Sequence, residues 1–259
     1  MTIARPWFDV DTGPEAEFTT AQITLLQWFK FLNPADGERI ELVVMAGGKL
    51  HRVAYAMSLS NVFKLAAEAE REPGFQGAYC VPNILSTECV RRCKPNLWWG
   101  PGVGRARDAD VTHRRVVYID VDSVREKGVN ATADEKEAAG AVASQIESAL
   151  LDHPDLCRCN IGPGMSGNGA SLFVALHPKE NTDALTSAIK DLLTDLAEQF
   201  DTPAAKIDRC VHNASRLVPL FGTHKRKWPH SPERPHRFTA FNPCPCIRRV
   251  FAERLFHGI

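Results

Sequence analysis

The sequence predicts an α+β protein with an antiparallel or mixed sheet and flanking helices. Runs with the two-residue period of a strand and runs with the 3.6-residue period of a helix alternate irregularly, without the regular β-α succession of a parallel sheet. At 259 residues, 44% hydrophobic and 24% charged, the chain can bury a sizeable core. No internal repeat or low-complexity tract divides it, so one two-lobed unit is expected.

Residues 18 to 33 hold Ile23, Leu25, Leu26, Trp28, Phe29 and Phe31 and read as a helix. Residues 39 to 46 begin by alternating polar and apolar, as a strand does, and 51 to 56 pair with them across Gly47-Gly48. A helix over 61 to 70 and a strand over 77 to 82 follow. The segment from 83 to 114, with Pro95, Gly100, Pro101, Gly102 and Gly104, reads as a loop in which Trp98 and Trp99 serve packing, with stacking on bases as the alternative. A strand over 115 to 122 comes next. Thr132-Ala133-Asp134-Glu135 has the form of a capping box and starts a helix reaching about residue 151. A strand over 157 to 161 then enters a glycine-rich loop, 162 to 169, which leads to a strand over 171 to 176. Residues 183 to 200 read as a helix, and 217 to 220 and 238 to 241 as short strands.

The apolar runs, such as 116 to 119 or 172 to 176, are too short to span a bilayer. The N-terminus has no basic region followed by an apolar stretch, so a cytoplasmic protein without a membrane partner is expected. Cysteines occur at C-x3-C and C-x-C spacings but never as CxxC. Reduced thiols are therefore the expectation, and zinc is not.

The chemistry concentrates in the run Arg115-Val116-Val117-Tyr118-Ile119-Asp120-Val121-Asp122. Positions i and i+2 of a strand share a face, so Asp120 and Asp122 project side by side. Like charges this close are readily stabilised by a divalent cation; the structural alternative is an Asp-rich turn. The loop Gly162-Pro163-Gly164-Met165-Ser166-Gly167-Asn168-Gly169 has the backbone freedom to present N–H groups to phosphate, or to make a long hairpin connection. It is neither a Walker A loop nor a dinucleotide fingerprint, because a strand follows it. Formal net charge is zero. Nevertheless, from Arg209 to Arg237 seven Lys/Arg face a single acid, Glu233, which is a nucleic-acid-binding surface or a solvated basic loop.

In order, these pieces resemble the archaeo-eukaryotic primase superfamily, in particular the primase-polymerases of phages, plasmids and other mobile elements. The matching residues are Asp120-Val121-Asp122 at a strand end, Ser166-Gly167-Asn168-Gly169 leading into a strand, and Asp208 after a helix. Asn213, Ser215, Arg216, Gly222, Thr223 and Lys225 to Lys227 continue the third motif. Asp108-Ala109-Asp110-Val111, Ala131-Thr132 and Arg234-Pro235-His236-Arg237 add to it. The resemblance covers roughly 20 to 245. It implies an N-terminal α/β lobe at about 18–114, a catalytic lobe of RNA-recognition-motif type at about 115–245, and an accessory or helicase domain beyond residue 259 in longer relatives.

The resemblance also implies template-directed nucleotidyl transfer with two divalent ions, Mg2+ or Mn2+, held by Asp120, Asp122 and Asp208. Ser166, Gly167, Asn168, Gly169, Ser171, Arg216, Thr223 and Lys225 would hold the nucleoside triphosphate. Lys227, Arg234 and Arg237 would hold single-stranded DNA template, with a replicative helicase as a further partner. One departure matters: where the family places a phosphate-contacting His, this chain has the uncharged Ser171, with His212 and Lys225 as candidate compensators. A catalytically weakened nucleic-acid or nucleotide-binding module of a replication initiator is the alternative. A metal-dependent nuclease is a third, less well matched to the basic run after Asp208.

Overall fold

The computed structural model describes residues 6–8, 18–100 and 102–256; Pro101 of the predicted loop and residue 259 lie outside them. Its elements are α1 (Thr20–Leu32), β1 (Ile40–Ala46), β2 (Lys49–Ala56), α2 (Leu59–Ala69), β3 (Phe75–Cys80), β4 (Ile84–Leu85) and α3 (Thr87–Val90). Then come β5 (Val111–Ser123), α4 (Ala133–Leu151), β6 (Ile161–Met165), β7 (Gly169–Glu180), α5 (Asp183–Phe200) and β8 (Ala205–Ile207). β9 (Val218–Pro219), β10 (His224–Lys225), β11 (Arg237–Phe238), β12 (Ala240–Phe241) and α6 (Ala252–Leu255) complete the chain. Among the described residues no helix is long and apolar enough to cross a membrane.

The fold is α+β with antiparallel sheets. β5-α4-β6-β7-α5-β8 is a βαββαβ unit whose strands lie in the order β8-β5-β7-β6, every pair antiparallel. β12 extends this sheet beyond β6, and β4 pairs with the other end of β5. The second sheet has the order β2-β1-β3-β9. β9 reaches it from far down the chain, pairing Val218 with Cys80, so the expected boundary near residue 114 does not separate the two sheets in sequence.

Local signals set the helices. Thr132 accepts from the N–H of Glu135, whose carboxylate answers the Thr132 N–H, the capping box that starts α4. Thr19 and Gln22 do the same for α1, and Asn33 in left-handed geometry (φ 51°) ends it. α1 buries Trp28, whose ring meets Phe173, Phe221 and Phe241 edge-on at 4.8–5.1 Å.

Three expectations change. The strand bearing the aspartates starts at Val111, and the predicted loop before it holds β4, α3 and a short 3-10 turn. Leu85, Cys89, Cys93, Ala106 and Val111 from this region cover the outer face of β1 and β2 as a second apolar core. That is why Glu41, polar in an alternating pattern, is fully buried rather than facing water. The glycine-rich stretch is mostly strand. A Cβ on Gly162 would sit 2.4 Å from the Phe241 ring and one on Gly164 2.7 Å from Phe221, so these glycines admit core aromatics rather than a ligand. Finally, the predicted strand over 238 to 241 splits at Thr239, whose buried hydroxyl donates to the Thr223 carbonyl at 2.8 Å.

Candidate active site

Tyr118, Asp120 and Asp122 occupy one face at the end of β5. Tyr118 is buried, stacks on Phe173 at 4.8 Å and hydrogen-bonds the Asp120 carboxyl. β8 pairs with residues 121–123 and delivers Asp208, whose backbone N–H donates to the Asp120 carbonyl at 2.9 Å. One Asp208 carboxylate oxygen accepts from the Cys210 N–H at 2.9 Å, capping the 3-10 turn over 209–212. The other takes the Arg216 guanidinium, also at 2.9 Å.

The Asp120 carboxyl is pushed up to about 7 by burial and next by the neighbouring charge of Asp122, with Asp208 adding to the rise. The Tyr118 hydroxyl and Arg216 pull it back. The three carboxylates thus share one field, although their oxygens do not all come within 4.8 Å of one another. As hard oxygen donors with a surplus of negative charge, they fit Mg2+ or Mn2+.

Arg216 is itself held from behind. Asp108 accepts from the Ser215 N–H (2.8 Å) and hydroxyl (2.7 Å), and Arg105 donates to the Ser215 carbonyl. These contacts and the Tyr118 hydroxyl are positioning roles that sequence reasoning missed, although Tyr118 stands two residues before Asp120 on the same face.

The predicted nucleotide-binding residues divide into groups. Ser166 and Gly169 close a tight turn, the Gly169 N–H donating to the Ser166 hydroxyl at 3.2 Å. Gly167 needs its positive φ of 91° there, and its Cα side faces Lys225. Asn168 is buried, accepting from the Ala131 N–H at 2.9 Å and donating to Asn130. A Cβ on Gly169 would meet the Val121 carbonyl at 2.4 Å, so only glycine lets the start of β7 lie this close to the acidic end of β5. Ser171 stands opposite Asp120 in register but is 1% exposed, and its hydroxyl has no partner. Thr223 is buried, with its hydroxyl on the Leu220 carbonyl. Lys225 donates to the Tyr79 hydroxyl and lies over that ring. His212 sits on the 3-10 turn after Asp208, its ring on the Arg209 carbonyl.

The predicted template residues differ in their freedom. Arg234 forks onto Glu135 at 2.7 and 2.9 Å, and this pair holds the Glu135 carboxyl below its ordinary range. Arg237 donates to the Ala131 and Gly167 carbonyls, bracing the glycine turn. Lys227 instead lies over the Trp228 ring at 5.0 Å. It lines an opening of about 380 Å³ together with Asp122, Arg125, Glu126, Lys127 and Trp228, a mouth with three cations and an aromatic wall that shares Asp122 with the aspartate cluster. A cavity of about 660 Å³ between α4 and the β6–β7 hairpin includes Lys136, Ser171 and Arg237 but no aspartate. Asn130, unremarked in the sequence, ties three carbonyls of the 228–234 loop to this region.

No family profile matches the chain. No curated protein matches it. Among solved structures, the chain is similar to one described as the crystal structure of primase RepB′, at 12% identity and a TM-score of 0.49, over 92% of this chain and 61% of that one. A likeness of this size is one of overall chain course, spans less than two thirds of the primase chain, and says nothing of activity.

Proposed function

We propose that this chain is a cytoplasmic DNA primase and polymerase, performing template-directed nucleotidyl transfer on single-stranded DNA in the replication of a mobile element. The observation that carries the reading is the convergence of Asp120, Asp122 and Asp208 with Arg216, beside a mouth lined by Lys127, Lys227 and Trp228. Asp120, Asp122 and Asp208 would hold two divalent ions, which supply charge stabilisation at the attacking and leaving oxygens. Arg216 offers a planar fork to phosphate, and Lys225 a point charge next to the Ser166–Gly169 turn. That turn, with Ser171 behind it and Thr223 fixing the approach of Lys225, shapes the nucleotide side. Trp228 offers a stacking surface for template bases and Lys227 charge for their backbone, with Arg234 and Arg237 holding the loop that carries them. A replicative helicase is the partner such an enzyme would serve.

The test is extension and primer synthesis on single-stranded DNA with labelled nucleotides and Mg2+ or Mn2+, beside Asp120→Ala/Asp122→Ala. Metal-dependent product that the double variant lacks is expected. Template binding without any metal-dependent product would overturn the reading in favour of a weakened binding module of a replication initiator, which the enclosed, uncharged Ser171 favours.

A further inference from the structure

The chain's last described segment runs along the larger sheet and is pinned to it at several points, two of which bracket a pair of cysteines. The Asn242 N–H donates to the Pro163 carbonyl of β6 at 3.0 Å, and the Arg248 N–H to the Cys159 carbonyl at 2.7 Å. Between these pins lie Cys244 and Cys246, and the same approach sets them against Cys159, in the 3-10 turn that enters β6. Cys244 Sγ lies 3.6 Å from Cys159 Sγ and 3.0 Å from Cys246 Sγ. All three sulfurs fall within 4.8 Å of one another, a closer grouping than that of the aspartate oxygens. The C-x-C pair alone is a poor zinc signature; the third thiol comes from 85 residues away, which is why spacing does not reveal it.

We propose that Cys159, Cys244 and Cys246 form a thiolate site for a thiophilic divalent cation, zinc foremost, that staples the C-terminal segment to the larger sheet. Tetrahedral zinc with Zn–S bonds of about 2.3 Å holds its sulfurs about 3.8 Å apart, close to the Cys159–Cys244 spacing and reachable by small side-chain rotations for Cys246. Three thiols cannot all be satisfied by disulfide formation, whereas one cation satisfies all three, their protons passing to solvent as the sulfur–metal bonds form. The half-buried Cys159 and Cys244 and the exposed Cys246 leave the fourth position to solvent. This site is separate from the aspartates and does not depend on the proposed activity.

The experiment is metal analysis of the full chain purified under reducing conditions from zinc-replete cells, followed by cobalt titration of the metal-stripped protein. A single equivalent of zinc and thiolate-to-cobalt charge-transfer absorption are expected in the wild type and in Cys210→Ser, whose thiol stands apart and exposed. Both signals should be lost in Cys159→Ser and in Cys244→Ser/Cys246→Ser. Circular dichroism shows whether those variants fold, and the wild-type titration decides the matter if they do not. Absence of bound zinc together with absence of the cobalt–thiolate band in the wild type would overturn the site. So would a band that survives Cys159→Ser.

Discussion

The Asp208 backbone N–H donates to the Asp120 carbonyl across 2.9 Å, so the third aspartate is brought to the first by main chain rather than by its own carboxylate. Side-chain chemistry and fold are therefore separable here. Asp208→Asn keeps that main-chain bond and one oxygen for the Cys210 N–H, but removes the charge and sets an amide NH2, which cannot accept, against the Arg216 guanidinium. Nucleotidyl transfer should fall by a factor on the order of 10² to 10³, while the urea midpoint changes by less than about 1 kcal/mol in stability. Metal-induced thermal stabilisation should shrink in the same variant. An activity loss matched by a collapse of stability would show that the carboxylate acts structurally.

Ser171 is where the sequence departs from the motif it resembles, and its surroundings specify what replacing it does. Its hydroxyl is buried without a partner, close enough to Gly164 that a Cβ there would lie 2.8 Å away. An unpartnered buried hydroxyl carries a desolvation cost, so Ser171→Ala should stabilise the protein by about 1 kcal/mol. Ser171→His, which restores the side chain of the motif the sequence resembles, crowds Gly164 unless the ring turns into the adjoining cavity, and should cost about 1–3 kcal/mol. Denaturant midpoints measure both. Destabilisation by the alanine variant would reveal a partner for the hydroxyl and reopen a direct role with nucleotide.

What the sequence reveals and what it hides follow from the range of the interactions. The capping box at Thr132 and Glu135 is complete within four residues, and α5 starts and ends as its own apolar spacing demands. Asp120 and Asp122 share a face because strand geometry alone requires it. The glycine-rich stretch misleads because its reason lies elsewhere in the chain. Gly162 and Gly164 are small to admit Phe241 and Phe221, contacts that no local window contains. Asp108 bracing Ser215, and Cys159 meeting Cys244, are long-range in the same way. The basic segment is visible as composition, yet only packing separates Lys227, free at a mouth, from Arg234, locked to Glu135.

Burial of Glu41 makes stability depend on pH. Desolvation pushes its carboxyl up to about 7, against the opposing Ala106 N–H, the Tyr55 hydroxyl and the more distant Arg105 and Arg92. The unfolded carboxyl titrates near 4.5, so between that pH and about 7 the folded state keeps a proton that the unfolded state has released. Stability contributed by this group therefore falls as pH rises through the window and levels off above it. The total is about 3 kcal/mol. Asp120 acts in the same direction and the same window, so the informative quantity is the difference between wild type and Glu41→Gln. Urea titrations from pH 4.5 to 8 should show the variant gaining on the wild type as pH rises. Parallel pH profiles would mean that Glu41 titrates as an ordinary exposed carboxyl.

The contrast between Lys227 and Arg234 gives a salt-dependence test of the template surface. Each phosphate contact on a single strand contributes roughly 0.7 to the slope of log affinity against log salt. Lys227 lines the opening beside Asp122 and pairs with no carboxylate among the described residues, so Lys227→Ala should flatten the slope by about that amount. Arg234 already neutralises Glu135 and caps the Asn130 carbonyl, so Arg234→Ala should leave the slope nearly unchanged. Its effect should appear instead as loosening of the 228–234 loop, with faster hydrogen exchange there and around Asn130. Fluorescence anisotropy with a labelled single-stranded oligonucleotide across a salt series reads the slopes. Equal flattening by both variants would place Arg234 on the template and break the assignment of its guanidinium to the loop.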